Sequence, residues 1–241
     1  MPKRRFLIMG LPRSGTTYLM TLLNSHRGVY CSGEQFNPYA IVGIGEKESG
    51  YPEVLARDRA PLDFMQQFFE RAETRNVVRA GFKYMIGHNT RILQELAEYP
   101  DIDLIYIWRE NRLAQISSLI KAARSSRWAQ TKPDAHIHEK ITVDPRRINQ
   151  RWHEFATFDH LFSSWFDTLP QRRITLEYRA LFAPGFAQKI CNFLDLPTDP
   201  KMKSPLVKQN PNAILERFEN PGAIQHYFRQ LGYARWLEPE L

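Results

Sequence analysis

Residues 6–24 constrain the fold more than any other stretch of the chain. Phe6-Leu7-Ile8-Met9 is a short apolar run with strand character, and Gly10, Pro12 and Gly15 set a tight turn directly behind it. Beyond the turn, Leu19, Leu22 and Leu23 recur on one helical face. Strand, glycine-bearing loop and helix in that order aim backbone N–H groups and a helix N-terminus at one point. That point is an anion site.

The remaining pattern alternates in the same way. Strand-like runs are read at 28–31, 77–84, 101–109 and 173–178, and the apolar Asp101–Arg109 run is expected to be buried on both faces. Helical periodicity is read at 62–72, 89–99, 112–125, 147–169 and 187–194. Residues 39–60 carry Gly43, Gly45, Gly50 and Pro52 with little periodicity and read as a loop, and the segments after 194 read as Pro-rich and irregular. Strands alternating with helices imply parallel βαβ units. The expected architecture is one α/β domain over 1–241, a three-layer α/β/α arrangement on a mainly parallel sheet.

Composition narrows the classes. The 241 residues suffice for a substantial core, and 43% hydrophobic with 24% charged residues is ordinary for a soluble globular protein. No apolar run approaches the roughly 18 residues of a membrane span. Lys3-Arg4-Arg5 before Phe6 imitates a signal peptide, but the apolar run behind it is short and is broken by Pro12-Arg13-Ser14-Gly15. Cys31 and Cys191 are the two cysteines and lie far apart, so neither a disulfide framework nor a zinc site is indicated, and a reducing cytoplasm is the expected compartment. A metal site at His136 and His138 lacks a third ligand nearby. The net charge of +7 points to anionic partners. The positive residues are scattered and form no long like-charge tract, which disfavours nucleic acid.

The spacing Gly10-x-x-x-x-Gly15 matches the opening of a nucleoside-triphosphate loop, but Thr16 stands where that motif has its lysine. The strand that should end in a Mg²⁺-holding Asp ends instead in Trp108-Arg109. An arginine there repels a metal and accepts a phosphate. Both departures count against an ATP-dependent small-molecule kinase, which stays the rival enzyme reading. A non-enzymatic nucleotide- or nucleic-acid-binding module is the rival outside catalysis.

Pro12-Arg13-Ser14-Gly15-Thr16-Thr17 resembles the 5′-phosphosulfate loop of sulfotransferases that use 3′-phosphoadenosine 5′-phosphosulfate (PAPS), in which other members carry Lys at the Arg13 position. Arg109, followed eight residues later by Ser117, matches the family's 3′-phosphate pair. Gly81-Phe82-Lys83 and, more weakly, Ala122, Ala123, Ser125 and Trp128 are similar to bacterial carbohydrate sulfotransferases of the trehalose and nodulation-factor types. The resemblance runs through the whole chain, with the first two motifs the sharpest. It implies a P-loop-like fold and transfer of a sulfuryl group from PAPS to a hydroxyl-bearing small molecule or glycan, leaving PAP, without a metal. A homodimer is left open.

Sulfuryl transfer needs alignment, charge stabilisation and a base. Arg13, Ser14, Gly15, Thr16 and Thr17 are expected to cradle the 5′-phosphosulfate, and Arg109 and Ser117 the 3′-phosphate. Arg13 keeps its proton, so its expected role is electrostatic. Glu34, just past the second strand, is the first candidate base, matching the proposed base of trehalose-type enzymes. His88, after the third strand, is the second. Lys83 reads either as a substrate contact or as an edge-strand lysine, and Lys208 as a solvated lysine or a donor contact. The aromatics from Trp152 to Phe166 read as core. The acceptor is expected to border residues 36–60 and 126–145.

Overall fold

The computed structural model describes residues 4–43, 50–132 and 138–241. The strands are β1 (Arg4–Gly10), β2 (Val29–Glu34), β3 (Arg79–Met85), β4 (Ile102–Trp108) and β5 (Arg173–Glu177). The helices are α1 (Thr16–Asn24), α2 (Tyr51–Arg59), α3 (Pro61–Glu73), α4 (Thr90–Glu95), α5 (Arg112–Ser125), α6 (Pro145–Phe166), α7 (Phe186–Phe193) and α8 (Pro221–Gln230). The strands form one sheet in the order β2-β3-β1-β4-β5, with every neighbouring pair parallel.

The strand order explains the apolar runs. Successive side chains point to opposite faces, and helices cover both. Leu7 and Met9 join Phe82, Tyr84, Leu104 and Tyr106 under α3, α4 and α6, while Phe6 and Ile8 join Ile105 and Ile107 under α1 and α7. A third cluster, outside the sheet, packs α5, α6 and α8 around Trp236. On α3 the buried Met65, Phe68, Phe69 and Ala72 follow helical spacing. Each large side chain buried in this way contributes about 1.5–3 kcal/mol.

Two helices depart from the sequence reading. Residues 51–59, expected within a loop, form α2, which buries only Val54 and Arg57 and so shows no apolar stripe. Its work is polar. Arg57 Nη1 donates to the carbonyls of Gln35 (3.0 Å) and Asn37 (2.8 Å), holding the turn behind β2. Helix α8 lies in the segment read as irregular. Pro221 sits in its first turn, where proline starts a helix as readily as it ends one, and Ile224 and Phe228 anchor it. His136 lies outside the described residues, so the pairing with His138 is not described. Cys31 and Cys191 are buried and free.

The chain lays β1, β2 and β3 toward one edge and then returns to place β4 and β5 on the other side of β1. The direction of winding therefore reverses at β1, and the crevice beyond the C-terminal strand ends opens there.

Candidate active site

A cavity of about 850 Å³ fills that crevice. Its floor is the loop between β1 and α1. Gly10 is required by close packing, since a Cβ there would sit 2.6 Å from the Ile107 carbonyl and 2.7 Å from Ser14 Oγ. Gly15 has φ of 102°, and Arg13 also adopts a left-handed backbone with φ of 64°. These two residues fold the loop back over itself. Gly15 heads α1 without a side-chain cap, which leaves the first-turn amides aimed at the cavity.

The loop residues divide by direction. Arg13, Gly15, Thr16 and Thr17 line the cavity. Ser14 is fully buried beneath the loop; its backbone amide donates to Leu11 O at 3.3 Å, closing the turn, while its hydroxyl has no hydrogen-bond partner. The Arg13 guanidinium donates to Ser118 Oγ (2.8 Å), to the Trp128 carbonyl (2.6 Å) and to Gln209. Burial, and then the nearby Arg109 charge, bring the Arg13 pKa down to about 10, which leaves it cationic at neutral pH.

At one end of the cavity, Lys83 Nζ donates to Thr17 Oγ1 (2.8 Å) and pairs with Glu34 Oε1 (2.7 Å). The β2–β3 register shifts between Ser32 and Glu34, setting Glu34 opposite Lys83. Asn37 Nδ2 donates to the other Glu34 oxygen at 2.7 Å. Burial opposes the Glu34 charge, but the Lys83 ammonium and the hydrogen bonds from Lys83 and Asn37 hold the carboxyl below its ordinary range. His88 Nε2 lies 3.8 Å from Glu34 Oε2. Burial, outweighing the pull of Glu34, lowers its pKa to about 4, so the ring is neutral at physiological pH. Its Nδ1 has no hydrogen-bond partner.

At the other end, Arg109 leaves β4 and forks onto Glu240, with Nε to Oε1 at 2.6 Å and Nη2 to Oε2. Its Nη1 donates to the Arg13 carbonyl (2.9 Å), and its guanidinium lies 4.0 Å from the centre of the Tyr178 ring. Burial disfavours the Arg109 charge, yet Glu240 and Tyr178 outweigh it and raise the pKa. Arg217 donates to the Ala114 carbonyl (3.1 Å) and to Ser117 Oγ (3.3 Å).

Ser117 therefore sits near the Arg109 end but behind the wall. Its Oγ is buried, donates to Ala114 O at 3.1 Å, and does not line the cavity. Ser118 Oγ, one residue on, does line it. Asn111 caps α5 by accepting from the Ala114 amide, and the Ser117 hydroxyl turns back onto the helix's own Ala114 carbonyl. Sequence reading missed Ser118, Arg217, Glu240, Gln209 and Tyr178. Ser118 had a signal in its neighbour; the others reach the cavity through contacts that leave no local pattern. The expected acceptor borders are reached in part, by residues 37–40 and 42 and by residues 128–130.

The Sulfotransferase family model matches residues 5–200. Nodulation protein H of Rhizobium meliloti is 27% identical over 249 residues, covering 99% of this chain and 96% of that protein. Nodulation protein H of Rhizobium tropici is 22% identical over 242 residues, covering 97% and 92%. Among solved structures, a sulfotransferase from Alicyclobacillus acidocaldarius superimposes with a TM-score of 0.53 at 15% identity, over 95% of this chain and 97% of that one. The sulfotransferase domain of the curacin biosynthetic pathway gives 0.52 at 14% identity, over 97% and 98%. These two share the fold. A family match across most of the sheet and through both phosphate motifs leaves one assignment: this chain belongs to the sulfotransferase family and is an enzyme of sulfuryl transfer.

Proposed function

We propose that residues 1–241 act as one unit that moves a sulfuryl group from PAPS to a hydroxyl on a carbohydrate or glycolipid acceptor, by in-line displacement without a metal. The observation that carries this reading is the line Thr17–Lys83–Glu34, in which one ammonium bridges the phosphate loop and the candidate base. A sulfuryl group held over the loop would lie beside that ammonium, facing an acceptor hydroxyl at Glu34.

The roles follow from charge. The α1 amides, Arg13 and Thr17 hold the 5′-phosphosulfate, and Arg109 faces the 3′-phosphate. As the S–O bond to the 5′-phosphate lengthens, negative charge gathers on the leaving phosphate, and Arg13 and Lys83 stabilise it. The acceptor oxygen bonds to sulfur and gives its proton to the Glu34 carboxylate, and PAP departs. Paired with Lys83, Glu34 is a weak base. It strengthens when Lys83 turns to the sulfuryl oxygens, so donor binding and base activation are coupled. Neutral His88 orients the acceptor hydroxyl and is the alternative proton acceptor. The relatives named nodulation protein H agree with the resemblance to carbohydrate sulfotransferases of the nodulation-factor type.

The test is an acceptor screen with labelled PAPS over sugars, oligosaccharides and glycolipids, with a chelator present. Label on a glycan hydroxyl is expected. Transfer that starts only when a divalent cation is restored would overturn the metal-free route, and label only on phenols or amines would overturn the acceptor class.

A further inference from the structure

The anion site at the Arg109 end already holds an anion of the chain's own. Glu240 meets the Arg109 fork with both carboxylate oxygens, and its side chain is 1% exposed. Leu241 lines the same cavity. The segment is fastened at a separate point, where the Leu241 amide donates to Asn212 Oδ1 (3.0 Å) and Asn212 Nδ2 donates to the Leu241 carbonyl. Lys208 Nζ also donates to Asn212 Oδ1, at 2.6 Å.

One carboxylate under-serves its surroundings. Arg217 Nη2 is buried without a hydrogen-bond partner and stands 3.9 Å from Glu240 Oε2. Burial and then Arg109 bring the Arg217 pKa down to about 10, and burial and then Arg217 bring Lys208 down to about 8. Arg109, Arg217 and Lys208 thus gather three cations around one carboxylate, and Arg217 Nη2 is left without a hydrogen-bond partner. A phosphate monoester carries up to two charges and three acceptor oxygens, so it answers this cluster better than a carboxylate does.

We propose that Glu240 is an intramolecular occupant of the site for the donor's 3′-phosphate, and that the segment Glu238–Leu241 is displaced as the donor enters. The proposal rests on the PAPS reading. The carboxylate keeps Arg109 paired while the cavity is open to solvent, and the incoming phosphate takes over both the fork and Arg217 Nη2. Apparent donor affinity is then the intrinsic affinity reduced by the fraction of molecules with the segment released. A ligand without a 3′-phosphate cannot displace Glu240 and is indifferent to the segment.

Calorimetric titration of PAP and 5′-AMP into the wild type, Asn212→Ala and Glu240→Gln tests this, with hydrogen exchange of residues 238–241 followed in the wild type. Asn212→Ala leaves Arg109 and Arg217 in place and unfastens the segment, so PAP should bind at least threefold more tightly while 5′-AMP is unchanged, and Lys208→Ala with Asn212→Ala should keep that gain over Lys208→Ala alone. Glu240→Gln should do the same by a larger factor. Asn212→Ala and the exchange measurement stand independently if that variant folds poorly. PAP should speed exchange at 238–241, the reverse of ordinary ligand protection. PAP that outcompetes 5′-AMP yet slows this exchange, with Asn212→Ala unshifted, overturns the displacement and leaves the donor reading intact. Equal affinity for PAP and 5′-AMP in the wild type and in both variants overturns the donor reading, and the proposal with it.

Discussion

The two ends of the cavity are built on opposite plans. At the Glu34 end, neighbouring parallel strands bring Glu34 and Lys83 together by register, and Lys83 reaches on to Thr17, 66 residues away. At the Arg109 end, the end of β4 supplies one arginine and α5 a nearby serine, while its charged partner arrives from afar, with Glu240 lying 131 residues on. The first end is a neutralised pair open to a substrate; the second is a buried cluster with more positive than negative charge. Chemistry belongs where a single proton or charge can shift, and selection of a donor belongs where charge is in surplus. Each expected effect below probes that division.

Loss of the base should produce the largest change. Glu34→Gln keeps size and hydrogen bonding but removes proton affinity, so single-turnover transfer should fall roughly 10²–10⁴-fold. PAP affinity should stay within about twofold if the carboxylate faces the acceptor as proposed. His88→Ala should cost less. If His88→Ala abolishes transfer while Glu34→Gln remains active, the roles of the two residues are exchanged.

Arg13 sits in the loop beneath the cavity, and its removal comes next. Arg13→Ala should reduce turnover by roughly 10²–10³-fold, the scale for deleting one charged donor from a developing anion. PAP binding should weaken less than turnover, since the leaving charge grows only during transfer. Arg13→Lys should recover much of the rate. A normal rate in Arg13→Ala would confine the loop to binding.

At the donor end the readout is affinity and not rate. PAP should bind more tightly than 5′-AMP, and Arg109→Ala should shrink that difference by about 1.5–3 kcal/mol per charge-assisted bond lost. Arg109 also holds the Arg13 carbonyl, so the variant should show some loss of 5′-AMP binding as well. A variant that loses both ligands equally would make Arg109 a loop support alone.

Much of this division was legible in the sequence, and what was not has a physical reason. Buried parallel strands must be apolar on both faces, so β1, β3 and β4 declared themselves, and the glycines of the loop follow from its positive φ and close packing. Glu34 was readable because the sheet's polarity sends the end of β2 toward the loop. Helix α2 was not, since it buries a lone valine and an arginine that clamps carbonyls, which is no periodic signal. Glu240 meets Arg109 through the return of the chain after α8, and Arg217 joins it from the turn before that helix, and such contacts leave no spacing to read. Ser117 was placed on the early part of the helix, but its hydroxyl turns to the Ala114 carbonyl and Arg217, away from the cavity lining.

A smaller effect concerns pH and the Glu34 end. The folded His88 pKa of about 4 lies below its ordinary 6.5, so the unfolded chain binds more protons between these values. Stability should therefore fall as pH drops from about 6.5 toward 4, and His88→Gln should flatten that part of the profile. Glu34, depressed in the folded state, adds its own loss only below the ordinary carboxylate range. Denaturant midpoints across this window provide the check. A wild-type slope unchanged in His88→Gln would show that the ring takes up a proton without strain.

The smallest expected effect is the sharpest test of how the donor end is built. If Ser117 bonded the 3′-phosphate directly, Ser117→Ala would remove a charge-assisted bond and cost PAP roughly ten- to a hundredfold in affinity. Its hydroxyl instead donates to the Ala114 carbonyl and accepts from Arg217, behind the cavity wall. Arg217 keeps its bonds to the carbonyls of Ala114 and Pro211 when the hydroxyl is gone, so its guanidinium stays in place. Ser117→Ala should then cost PAP no more than about threefold. Ser118→Ala, which strips a partner from Arg13 and from Asn210 inside the cavity, should cost more. Isothermal titration of the two variants decides between them. A large loss at Ser117 with little at Ser118 would mean that α5 turns on binding the donor and presents Ser117 to the phosphate.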